Sequence, residues 1–169
     1  MALANGLVTV FGLPAHPLLV HAVVVLLPLS AVFAAALAVV PRWRQRYAGP
    51  LLGVTLLGVG SVLPAQQAGE QLKARMAPSG NPLIQRHAEL GNDLLPFALG
   101  FGVLVVVLVV AGRLADRERA ADGPAVPRTW RRISVVVAVL VMAAGAAATV
   151  QTIRIGHSGS TAVWGGDAR

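Results

Sequence analysis

Residues 94–111 read LLPFALGFGVLVVVLVVA, eighteen residues without a Lys, Arg, Asp or Glu. At about 1.5 Å of rise per residue, a helix of that length covers roughly 27 Å, close to the ~30 Å hydrocarbon core of a bilayer. Three further stretches share this character, residues 18–40, 50–69 and 133–155, and the only charge among them is Arg154 in the last turn of the fourth. A soluble domain of 169 residues could bury one such helix, but four would leave too much apolar surface facing water. The reading is an all-α, four-helix transmembrane bundle, with residues 1–169 as one integral membrane domain. Between the third and fourth spans, residues 116–129 (DRERAADGPAVPRT) combine charge with Gly123, Pro124 and Pro127 and read as a flexible cytoplasmic loop.

The chain carries 14 Lys and Arg against 7 Asp and Glu. Their placement sets the orientation, because basic loops are retained in the cytoplasm. Arg42, Arg44 and Arg46 fall in the first connection, and Arg113, Arg117, Arg119, Arg128, Arg131 and Arg132 in the third. The opposite side holds Lys73, Arg75, Arg86, Arg154 and Arg169. Both termini are therefore expected outside the cytoplasm. The N-terminus lacks a charged n-region, so the first span is expected to be retained. Orientation and attraction to the lipid bilayer account for the positive charge, with Trp43, Tyr47 and Trp130 as interfacial aromatics; no nucleic-acid partner is expected. The absence of cysteine excludes disulfides, thiolate metal sites and thioether attachment.

Small residues at Gly49, Gly53 and Gly60, and at Ala144 and Ala148, are expected to let helices approach closely. Pro28 and Pro64 are expected to kink their spans. Pro17 suits the first turn of the first helix, with His16 just before it. The third helix is expected to start early, from Pro82, so that His87 rides above the bilayer core unless a bend at Gly91 or Pro96 brings it towards the other helices.

All four histidines, His16, His21, His87 and His157, then fall on one side of the membrane. Gln66, Gln67, Glu70, Glu89, Asn92 and Asp93 share that rim, as does the tail IRIGHSGSTAVWGG at residues 153–166, whose Gly156 and Gly159 permit tight turns or close backbone approach. Three purposes suit four imidazoles without thiols: ligation of haem or a metal ion, proton transfer, or a hydrogen-bonded plug. His21 and His157 are the first-choice ligands, then His87, with His16 as a supporting donor or additional ligand. A bare metal would use His21, His87 and His157. Glu70, Glu89 and Asp93 are expected to receive imidazole protons. Against metal binding, His16 and His21 are five residues apart, about 140° round a helix, although a His16 outside the helix would soften that objection. No nucleophile elbow, phosphate loop or charged path through the bilayer is present.

The motifs GLPAHPLLVH at 12–21, QQAGEQL at 66–72, RHAELG at 86–91 and RIGHSGSTAVW at 154–164 together resemble the bacterial membrane proteins grouped as domain of unknown function 2231. The resemblance covers Gly12 to Trp164. It implies four spans, with His16, His21, His87 and His157 on the family's recurrent histidines and Glu70 on an acidic position. Members are similar in outline to small di-haem membrane cytochromes. The expected function is therefore binding of haem b or a single metal ion in membrane redox chemistry, beside a redox partner or within a membrane complex, by a protein that is not an enzyme on its own. The competing expectation is a non-catalytic structural or interaction subunit.

Overall fold

The computed structural model describes residues 9–10, 13–76, 81–121 and 128–164. A two-rung antiparallel ribbon, β1 (Thr9–Val10) with β2 (Leu13–Pro14), precedes six helices. These are α1 (Ala15–Val39), α2 (Arg44–Gly60), α3 (Val62–Met76), α4 (Pro82–Asn92), α5 (Leu94–Ala120) and α6 (Thr129–Trp164), with a 3₁₀ turn at Pro41–Trp43. They form four lengths apolar and long enough to cross a membrane: α1, the pair α2 and α3, the pair α4 and α5, and α6. The all-α four-span architecture is thus present.

The helices pack as a ring. α1 touches α2, α2 touches α5, α5 touches α6, and α6 returns to α1. At the end where the histidines lie, α3 and α4 continue the ring between α1 and α6. The residues turned inward are Leu27, Leu51, Phe101, Val105 and Val141, all almost wholly buried. Those turned outward are as apolar, with Val32 69% and Val103 62% exposed, the pattern expected where the solvent is lipid.

Close approach comes at glycines other than the expected pair. Gly49, Gly53 and Gly60 have open space where a side chain would be, so they are not packing positions within this chain. A Cβ on Gly145 would instead sit 3.0 Å from Ala31 Cβ and 3.2 Å from the Phe101 ring, and one on Gly58 would meet the backbone at Leu26 and Leu27. Ala148 on α6 is buried, as its spacing suggests.

Proline explains where the helices stop. A proline lacks the amide that would pair with the carbonyl four residues back, and its ring crowds that carbonyl. Pro41 does this to Leu37 and ends α1, Pro64 does it to Gly60 and places the break at Ser61, and Pro96 does it to Asn92 and places the break at Asp93. Pro28, by contrast, is carried inside a continuous α1. α4 starts on Asn81, whose Oδ1 accepts from Leu83 N at 2.9 Å, with Pro82 in the first helical position.

Two boundaries differ from expectation. The segment expected to be a loop, 116–129, is helical through Ala120, and helix resumes at Thr129; residues 122–127 lie outside the described residues. Glu118 near the end of α5 accepts from the free amides of Trp130 (2.9 Å) and Arg131 (3.0 Å), so a carboxylate covers the positive end of α6. The expected tail after residue 155 is also helical: α6 continues through Gly156, His157 and Gly159 to Trp164. Residues 165–166 lie outside the described residues.

Arg44 proves not to be a surface charge. It is 7% exposed, and its guanidinium donates to Leu37 O (Nε, 3.0 Å) and Ala38 O (Nη2, 3.1 Å), capping the end of α1. Gly112 makes room for it, since a Cβ there would lie 3.0 Å from Arg44 Cδ. Arg44→Met should cost about 3 kcal/mol by removing two charge-assisted bonds, read as a lower unfolding temperature in detergent. Arg46→Met, at an exposed position, should cost less than about 0.5 kcal/mol.

Candidate functional site

α1 begins at Ala15, so His16 lies inside its first turn and not before the helix. The 140° separation from His21 therefore applies in full. His16 faces inward and its Nδ1 lies 2.9 Å from Ala65 O on α3. A carbonyl can only accept, so Nδ1 carries the proton and donates. His21 is exposed and its Nδ1–H donates within its own helix, to Pro17 O.

His87 reaches the same place from α4. The helix is interrupted at Asp93, and His87 Nδ1 comes 3.0 Å from Ser158 Oγ on α6. Ser158 donates its own hydroxyl proton to Ile155 O (2.8 Å), leaving its oxygen to accept from His87 Nδ1–H. The two imidazoles meet with centroids 6.3 Å apart and planes at 81°. Both carry the proton on Nδ1, so both Nε2 lone pairs are uncommitted.

Each ring is seated on a glycine. A Cβ on Gly69 would fall 2.9 Å from His16 Cε1, and one on Gly159 would fall 3.0 Å from His87 Cε1. An added Cβ at Gly69 would force the His16 ring to shift, and one at Gly159 would require the His87 ring to give by a few tenths of an ångström. Glycine at 159 thus serves close approach, as its sequence context suggests, but within a helix and against an imidazole, with no turn.

Glutamines hold this end together. Gln66 Nε2 on α3 donates to Gly91 O (2.8 Å) and Asn92 O (3.3 Å), the second being the carbonyl freed by Pro96. Gln151 on α6, itself buried, donates to Leu90 O at 3.1 Å. The last turn of α4 is thereby tied to both neighbours, which fixes where His87 stands.

The family described as predicted membrane protein DUF2231 matches residues 12–168. The chain belongs to that family. No curated protein and no solved structure matches it. In this DUF2231 protein the match spans all four histidines, but the structure brings together only His16 and His87. His157 is exposed on α6, turned about 100° from the neighbouring Ser158 that faces His87.

The carboxylates expected to orient imidazoles have other company. Glu70 is exposed with Lys73 Nζ at 4.0 Å, Glu89 accepts from Gln85 Nε2 at 2.9 Å, and Asp93 is exposed at the helix break. A backbone carbonyl and a serine hydroxyl take their place. Among the described residues, no group of three or more His, Asp and Glu converges as a metal site.

α4 is polar, with Gln85, Arg86 and Glu89 exposed, and His87 lies seven residues before the apolar stretch that starts at Leu94. Burial lowers its pKa below the ordinary 6.5, and the neighbouring charge of protonated His16 lowers it further, against the raising effect of the nearby Ile155 carbonyl. The unfolded chain then binds this proton more readily than the folded one. The contribution to stability is complete above the ordinary value and declines as pH falls from 6.5 towards the folded pKa. An NMR titration should show His87 protonating below 6.5, and His16→Gln should shift that midpoint upward; an unmoved midpoint would mean the two rings do not sense each other.

Proposed function

We propose that this membrane protein holds one transition-metal centre between His16 and His87 and serves in membrane redox chemistry. The observation that carries this reading is the pair itself: two imidazoles from different helices, each with its Nδ1–H committed to an acceptor. That hydrogen bond orients an imidazole and raises the basicity of its Nε2. Two rings on either side of one ion, with Nε2 at about 2.0–2.1 Å from it, have centres roughly 6.3 Å apart, and the observed separation is 6.3 Å. That separation supports the reading of an imidazole-ligated metal.

The number of ligands favours haem b over a bare ion. A structural zinc wants about four protein donors, and the described residues offer two in one place. Haem brings four nitrogens of its own, so paired histidines complete it, and iron so held supplies one-electron transfer. Ala65 and Ser158 would hold the ligand protons, and Gly69 and Gly159 would seat the rings. His21 and His157 would stand outside this centre. The orientation that suits the reading has both termini outside the inner membrane and the pair facing a redox partner there.

A second reading rests on the same bonds. His16 to Ala65 and His87 to Ser158 join residues 49 and 71 positions apart and tie α1 to α3 and α4 to α6 without any cofactor. The visible spectrum of protein purified in mild detergent, with metal analysis, separates the two. The redox reading expects a Soret band that sharpens on dithionite reduction, lost in His16→Ala and His87→Ala and kept in His21→Ala and His157→Ala. Metal content without a Soret band would assign a bare ion. A colourless, metal-free protein after expression with haem precursor and metals, with the first two variants merely less stable, would assign the structural role. A periplasmic reporter fused after Arg169 should be active; cytoplasmic activity would reverse the orientation.

A further inference from the structure

The opposite end of the bundle has a different chemistry. Where the start of α2 lies beside the end of α5, a cleft of about 600 Å³ opens, lined by Pro41, Arg42, Gln45, Asp116, Arg119 and Ala120. We propose that this cleft binds the headgroup of an anionic phospholipid, with its phosphodiester held by Arg42, Gln45 and Arg119.

The cleft is supplied with donors that nothing else uses. Arg42 and Gln45 are exposed, and among the described residues neither side chain has a hydrogen-bond or ion-pair partner. Arg119 is held at the wall by its ion pair with Asp116. A guanidinium so anchored presents its remaining N–H groups in a fixed direction, which suits a phosphate. Asp116, half-buried, remains an acceptor for a headgroup hydroxyl.

The surrounding charge favours an anion. Two arginines against one aspartate leave the cleft net positive. Behind it lies Arg44, which is 7% exposed and has one guanidinium nitrogen, Nη1, without an acceptor. It is near enough to Asp116 and Arg119 to feel both charges. Arg46 on α2 and Arg113 and Arg117 on α5, all exposed, add to the positive charge of this end of the bundle.

Position selects a lipid as the source of that phosphate. The cleft adjoins Trp43 and Tyr47, both partly exposed, the residue types that mark the headgroup level. Towards the bilayer centre, Val39 on α1 and Leu56, on the face of α2 that carries Gln45, are exposed, apolar surface of the kind acyl chains cover. A basic pocket between spanning helices with apolar walls below it is the arrangement that recognises an anionic lipid.

Native mass spectrometry of the full chain in neutral detergent, titrated with phosphatidylglycerol and with phosphatidylcholine, tests this. One phosphatidylglycerol should bind at least about fivefold more tightly than phosphatidylcholine, and Arg42→Gln should weaken it by about fivefold, the value of one arginine at a membrane surface. Gln45→Leu should weaken it as well, while Arg132→Gln on α6, outside the cleft, should not. Equal affinity for the two lipids, or equal losses in Arg42→Gln and Arg132→Gln, would reduce the effect to diffuse charge and overturn the site. Glycerol phosphate binding as tightly as the lipid would overturn the choice of a membrane ligand.

Discussion

A carbonyl released from its helix must find a donor within the protein when water is scarce, and prolines at three helix ends make that demand here. Pro41, Pro64 and Pro96 each deprive the carbonyl four residues upstream of its amide. An unsatisfied polar group at membrane depth costs several kcal/mol. The answer at one end is Arg44, whose guanidinium caps Leu37 and Ala38 from the next helix. At the other end it is the amides of Gln66 and Gln151, which cover the last turn of α4. These side chains hold the helix ends at their angles.

The histidine pair is a consequence of those breaks. A straight helix from Pro82 would carry His87 up and away from the bundle. With the axis broken at Asp93, α4 leans between α3 and α6, and His87 finds both Ser158 and His16. The same economy of space appears in Gly69 and Gly159, where the absence of a side chain lets each ring lie against a helix. Polar groups thus meet at the ends of a bundle whose middle is aliphatic, with small hydroxyls such as Ser30 and Thr152 bonded back to their own helices.

The four spans were legible because a charge-free run of lipid length has few other uses. The early start of the third helix at Pro82 was legible too; the full extents of the second and fourth were not, since residues 70–76 and 156–164 are polar enough to look like connections. The gathering of the histidines at one end of the bundle was legible as well, and so was the 140° that parts His16 from His21. His16 was expected just before the helix on the strength of Pro17; it lies in the first turn and faces Ala65. Charge complementarity pointed to Glu70, Glu89 and Asp93 as imidazole partners; the actual acceptors, a backbone carbonyl and a serine hydroxyl, leave no mark in composition. The GxxxG of Gly49 and Gly53 drew notice as a packing motif, while Gly145 and Gly58, without such a motif, make the closest approaches.

The pairing of His16 with His87 is the claim on which the functional reading rests, and solid-state NMR on histidine-labelled protein in lipid bilayers addresses it directly. The account predicts ring-to-ring correlations between His16 and His87 alone, with both rings protonated at Nδ1 and bare at Nε2. Correlations linking His87 to His157 or His21, or a proton on Nε2 of either paired ring, would contradict it.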